Sequence, residues 1–189
     1  LTKEAIQELE LPGIDFIESQ KRYYPNNNFL SYVIGYAKNT DNNKINGELG
    51  LESYYNDMLK GKDGYFEYQK DRNGYKIPNT KEVRIDPVSG KDIYLTIDSN
   101  IQFFVEDAIR ENFEKYTPEW MLMVVADAKS GKILASSSYP SFDPNIRNLT
   151  NYLDPVVSYA FEPGSTMKTY TYMAALESSK YNGEDKFTS

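Results

Sequence analysis

Between residues 98 and 137 a capping aspartate, a long amphipathic stretch, a proline stop, a nearly unbroken apolar run and a short return strand follow one another. This succession leaves few folds open. Asp98 stands where a helix N-cap belongs, and Ile101, Phe104, Val105, Ala108, Ile109 and Phe113 keep a helical period until Thr117-Pro118 stops it. Residues 120–126 read as a strand buried on both faces. Ala128-Lys129-Ser130-Gly131 makes a turn, and residues 132–137 return as a second strand. Residues 92–97, just before Asp98, also read as a strand. The expectation is an α+β architecture with an antiparallel hairpin at the heart of a sheet covered by helices.

The N-terminal half is more broken. Thr2 can cap a helix over residues 3–10, stopped by Pro12-Gly13. Ile14, Phe16 and Ile17 open a strand that Pro25 ends, and Asn26-Asn27-Asn28 precede a short helical turn through Phe29, Leu30 and Val33. Ile34-Gly35-Tyr36 then returns to extended chain. Residues 39–47 read as a polar loop in which Asp41, Asn43 and Gly47 only faintly match a calcium loop, lacking its spacing and terminal glutamate. Residues 50–59 read as one helix closed by Gly61. Residues 64–78 read as a hairpin about Asp71-Arg72-Asn73-Gly74. A polar linker over residues 79–90 puts the expected domain boundary near residue 90.

Composition removes several kinds of chemistry. The 189 residues can bury a core as one large domain or two small ones. Their net charge of -7 without a basic cluster argues against nucleic acid as a partner. There is no cysteine, so disulfides, thiolate metal sites and thiol nucleophiles are excluded; there is no histidine, which excludes a Ser-His-Asp triad and most zinc sites. Any serine chemistry here uses lysine, tyrosine or a carboxylate as base. No apolar run reaches the length of a membrane span, and the absence of an initiating methionine suggests a piece of something longer.

The exclusions direct attention to Phe161-Glu162-Pro163-Gly164-Ser165-Thr166-Met167-Lys168. Pro163-Gly164 marks a turn, and residues 167–176 carry no breaker, so a helix begins here with Ser165 and Lys168 on one face of its first turn. A serine at that place lies near unpaired backbone N–H groups and the positive end of the helix dipole, which favours its alkoxide. A neighbouring amine can serve as its base. Taken alone, the two residues fit better a helix N-cap at Ser165 and a solvated charge at Lys168.

The order Arg22-x-Tyr24-Pro25, Gly47-x-x-Gly50-Leu51-Glu52, Leu95-Thr96-Ile97-Asp98, Gly131-x-Ile133-Leu134-Ala135, Pro140-Ser141-Phe142-Asp143-Pro144-Asn145 and Glu162-Pro163-Gly164-Ser165-Thr166-x-Lys168 resembles a class B penicillin-binding protein. The resemblance covers most of the chain. It implies part of a non-catalytic pedestal over residues 1–90, followed over residues 91–189 by the first helix, β-hairpin and nucleophile helix of a transpeptidase domain of α/β sandwich type. The implied activity is peptidoglycan cross-linking by a membrane-anchored D,D-transpeptidase on the outer face of the bacterial cell membrane, without cofactor or metal. Its implied partners are D-Ala-D-Ala stem peptides, β-lactams and, through the pedestal, other cell-wall synthesis proteins. Ser165 would be the acylated nucleophile and its backbone N–H an oxyanion donor, with Lys168 as general base. Arg22 and Glu52, opposite charges in two pedestal motifs, suggest a structural ion pair.

The family's downstream Ser-x-Asn and Lys-Thr-Gly motifs do not occur after Lys168, so the 189 residues alone are expected to be inactive. An early arginine-glycine motif is missing too, and Asp71-Arg72-Asn73-Gly74 follows Gly-Leu-Glu where that motif would precede it. A β-lactamase-like or β-lactam-sensing enzyme is one alternative reading, and a non-catalytic scaffold, with the aromatic residues Tyr65 to Tyr68 as its surface, is another.

Overall fold

The computed structural model describes residues 2–16, 19–40, 44–184 and 186, in two compact units that divide after Val156. Thr2 Oγ1 accepts the Ala5 N–H at 3.4 Å and starts α1 (Lys3–Gln7), which ends before the expected residue 10, where Glu10 turns left-handed at φ 45°. Residues 14–16 and 19–24 pair with no strand; Ile17, placed in a strand by the sequence, lies outside the described residues. After α2 (Ser31–Ile34), β1 (Ala37–Asn39) pairs antiparallel with β2 (Ile45–Gly47). The expected polar loop is therefore the tip and return of a hairpin, and Asp41 and Asn43 of the calcium-loop comparison lie outside the described residues.

The single helix expected over residues 50–59 is two, α3 (Gly50–Tyr54) and α4 (Asn56–Leu59), broken at Tyr55 with φ -103° and ψ 19°. Asn56 gives the reason. Its amide turns back to β2, accepting the Gly47 N–H at 3.0 Å and donating to Asn46 Oδ1 at 3.1 Å. The hairpin expected over 64–78 is also redrawn: β3 (Tyr65–Glu67) pairs with β4 (Val83–Ile85), inside the supposed linker. The turn at Asp71 does form, with Asp71 Oδ1 accepting the Asn73 and Tyr75 N–H groups, but only the Lys70–Lys76 bridge extends it. Pro78, which has no N–H to donate, stands at the end of that short excursion.

The strongest elements are α5 (Ser99–Tyr116), β5 (Met121–Ala126) and β6 (Ile133–Tyr139). Asp98 Oδ1 accepts the Asn100 and Ile101 N–H groups at 2.9 and 3.1 Å, and Thr117 closes the helix in the left-handed region. β5 and β6 are antiparallel, joined by a turn in which Asp127 Oδ1 accepts from Lys129 N–H, Ser130 N–H and Ser130 Oγ. Val105 and Ile109 of α5 pack on Ala135 with Met121, Met123 and Val125 around them. Among the described residues only one face of the sheet is covered. Contrary to the expectation of a strand buried on both faces, Val124 points the other way and is exposed, and Phe104 of α5 is 75% exposed. Residues 92–97 form no strand; they follow β6 through Thr96 Oγ1 to Ile133 O at 2.6 Å and Asp98 N–H to Leu134 O at 2.9 Å, while Tyr94 faces outward without a surface to pack on.

A second core of Tyr24, Tyr36 and Phe142, flanked by Ile34, Leu49 and Leu149, joins the N-terminal part to the loop after β6. The expected boundary near residue 90 thus falls inside the first unit. Three glycines let backbones cross beneath this core: a Cβ on Gly35 would lie 1.8 Å from Leu49 O, and one on Gly47 1.9 Å from Glu52 O; one on Gly50 would lie 2.6 Å from Val33 O. Asp154 Oδ1 accepts the Val156 N–H at the start of α6 (Pro155–Ser158), and the second unit continues through a 3₁₀ turn, Gly164–Thr166, into α7 (Met167–Glu177).

Candidate active site

Gly164 sits at φ +56°, the left-handed backbone that glycine adopts without strain, and so turns the chain from Pro163 into the 3₁₀ turn. Thr166 Oγ1 donates to Pro163 O at 2.5 Å, and Met167 N–H bonds to Gly164 O and Ser165 O, so the turn runs straight into α7. Neither the turn nor α7 carries a side-chain cap. Ser165 is therefore not spent as an N-cap. It lies inside the turn, with Lys168 three residues on as the second residue of α7; this spacing puts both on one side of the helix start, and both are exposed. The far end of α7 is held by a Schellman pair, Ser179 N–H to Leu176 O and Lys180 N–H to Ala175 O, with Ser179 at φ 56°. An oxygen nucleophile at a helix N-terminus beside a primary amine is equipped for acyl transfer.

In the first unit the structure brings Arg22 and Glu52 together. The guanidinium meets the carboxylate through two contacts, Nε to Oε1 at 2.8 Å and Nη2 to Oε2 at 3.1 Å, and Glu52 is only 8% exposed. Tyr24 completes the group: its hydroxyl donates to Glu52 Oε1 at 3.3 Å and accepts the Ala37 N–H at 2.8 Å. Burial first, and then the Glu52 charge, push the Tyr24 pKa well above the usual tyrosine range. Among the described residues no group of three or more His, Cys, Asp or Glu could hold a metal.

With this geometry in hand, two family descriptions match the chain: the penicillin-binding protein dimerisation domain over residues 2–95 and the penicillin-binding protein transpeptidase domain over residues 121–189. The chain belongs to the class B penicillin-binding proteins. It is 40% identical over 182 residues to stage V sporulation protein D of Bacillus subtilis, covering 94% of this chain and 27% of that one. To the peptidoglycan D,D-transpeptidase MrdA of Escherichia coli it is 32% identical over 204 residues, covering 91% and 31%. A solved peptidoglycan synthetase from Bifidobacterium adolescentis superposes with a TM-score of 0.75 at 32% identity, over 99% of this chain and 34% of that one. Penicillin binding protein 2X from Streptococcus thermophilus gives 0.69 at 28% identity, over 87% and 25%. The chain thus spans under a third of the length of the curated relatives it matches.

Gln102, Glu106 and Asp154 carry connections that no sequence motif announced, and Asn145, though it closes the Pro-Ser-Phe-Asp-Pro-Asn motif, carries one whose partner the motif does not name. Asn145 holds the backbone of Tyr24 on both sides, accepting its N–H at 3.0 Å and donating to its carbonyl at 2.8 Å. Gln102, fully buried, bonds both the N–H and the carbonyl of Ser136, and Glu106 takes up Gln102 and the Leu30 N–H. Asp154, half-buried, has its carboxyl pushed above the usual range by desolvation. Gln102 did leave a signal: it stands three residues before Val105 and seven before Ile109, a polar side chain within the apolar stripe.

Proposed function

We propose that the full-length protein cross-links peptidoglycan as a serine D,D-transpeptidase. The observation that carries this reading is Ser165 and Lys168 on one side of an uncapped helix start, inside the segment that matches the transpeptidase domain. Ser165 Oγ attacks the carbonyl carbon of the penultimate D-alanine of a stem peptide while Lys168 Nζ takes the hydroxyl proton. The Ser165 backbone N–H stabilises the oxyanion. Collapse breaks the amide bond, the terminal D-alanine leaves with a proton returned to its amine, and the acyl group stays on Oγ. An amine of a neighbouring strand then attacks the ester, forms the new amide and frees Ser165. A β-lactam enters by the same attack, and opening of its ring leaves the acyl on Ser165.

In this reading residues 1–90 are pedestal and residues 91–189 begin the catalytic domain. The pedestal docks other cell-wall synthesis proteins, and a membrane anchor holds the enzyme on the outer face of the cell membrane. Its relatives' names as peptidoglycan D,D-transpeptidases support the activity. Labelling of the full-length protein by a fluorescent penicillin tests it. Ser165→Ala is expected to abolish the covalent adduct, and Lys168→Ala to slow its formation by about a hundredfold or more, the size of a general-base contribution. A persistent adduct in Ser165→Ala overturns the assignment.

A further inference from the structure

Gln102 behaves toward β6 as a neighbouring strand would. Its Oε1 accepts the Ser136 N–H at 2.8 Å and its Nε2 donates to the Ser136 carbonyl at 3.0 Å, closing the backbone of β6 at that residue with a side-chain amide. The second N–H of the same amide donates to Glu106 Oε1 at 2.8 Å. That leaves Gln102 with both amide hydrogens used and only one workable orientation, because a flipped amide would set its oxygen against the Ser136 carbonyl and the Glu106 carboxylate. The same Glu106 oxygen accepts the N–H of Leu30 at 2.7 Å, from a residue 3% exposed and held in the left-handed region at φ 54° just before α2. Two buried or half-buried side chains, Glu106 and Gln102, therefore connect a backbone amide of the dimerisation-domain segment to a backbone amide of the transpeptidase-domain segment.

We propose that Glu106 and Gln102 form a relay that makes closure of the β6 edge at Ser136 conditional on the docking of residues 26–34 against α5. With Leu30 seated, Glu106 is pinned and orients Gln102 onto Ser136. With Leu30 withdrawn, Glu106 loses its backbone donor and turns to water, and the Gln102 amide loses the acceptor that fixes it. The coupling is reciprocal: loosening Gln102 weakens the seat of Leu30. The test of the relay reads no activity.

Amide hydrogen exchange in the full-length protein reads both ends, with Ala37, whose N–H is held by the Tyr24 hydroxyl, as the internal reference. Glu106→Ala should speed exchange about tenfold at Leu30, which it touches, and also at Ser136, which it does not. Gln102→Leu should likewise speed Ser136 and, at a distance, Leu30. Glu106→Gln, which keeps an acceptor for both donors, should hold both ends near wild type. The proposal fails if Glu106→Ala speeds Leu30 alone or Gln102→Leu speeds Ser136 alone. Should either variant speed Ala37 as well through general unfolding, Glu106→Asp, one methylene too short to reach both donors, decides: a selective rise at Leu30 and Ser136 supports the relay, and an equal rise at all three overturns it.

Discussion

At Tyr24 one hydroxyl holds a buried carboxylate and a buried backbone amide together. Replacing it by phenylalanine removes the hydroxyl that accepts the Ala37 N–H and donates to Glu52, a loss of about 1–3 kcal/mol for an unsatisfied buried group. We predict that Tyr24→Phe lowers the urea midpoint accordingly at pH 8. The alkaline limb carries a second expectation. The unfolded chain releases the Tyr24 proton at the ordinary value of 10.0, whereas the folded pocket keeps the phenol neutral to higher pH. Above pH 10 the folded state therefore binds more protons than the unfolded one, and the contribution present below that value is lost as pH rises. Between pH 9 and 11.5 stability should fall less steeply in Tyr24→Phe than in the parent; equal slopes would refute the coupling. Tyr24 stands out in the sequence within Arg-x-Tyr-Pro, and Glu52 within Gly-Leu-Glu. Asn145, which grips the Tyr24 backbone across 121 positions, obeys no local rule that would name its partner.

Elements were legible where their own residues decide them. The helical period and the Asp98 cap foretell α5, the apolar run and the turn at Ala128-Lys129-Ser130-Gly131 foretell β5 and β6, and the breaker-free stretch after Gly164 foretells α7. They were misread where a distant partner decides: β3 takes β4 from beyond its own turn, α3 and α4 part because Asn56 bonds to β2, and residues 92–97 lack the packed face that would make them a strand. The place of Ser165 in the turn that leads into α7 was readable for the same reason α7 was, while the contacts around Glu52 depend on long-range bonds. The cap itself can be weighed. Asp98→Ala leaves two N–H groups of the longest helix without their acceptor and should cost about 1 kcal/mol, measurable as a lower denaturant midpoint, with Asp98→Asn losing markedly less. An unchanged midpoint in the alanine variant would mean that α5 is held by packing alone.

Across the first unit, core and hydrogen bonds run straight over the join between the two family segments: Tyr24 to Asn145, Leu30 to Glu106, and Phe142 among Tyr24 and Tyr36. Such crossing contacts predict one cooperative transition for residues 19–156. Trp120, the only tryptophan, reports on the hairpin, and nine of the seventeen tyrosines, from Tyr23 to Tyr75, bring the N-terminal part into the near-UV tyrosine signal. The two probes should share one midpoint, and Asn145→Ala should lower both together by about 1–3 kcal/mol of stability. Separate midpoints in the parent would show two independent parts. Beneath this shared core lies the crossing at Gly35, Gly47 and Gly50. Every other amino acid brings a Cβ, so each missense change at these three codons drives an atom into space already held by a carbonyl. The crossing has no neutral neighbours in sequence space, and the gene can drift around it but not through it.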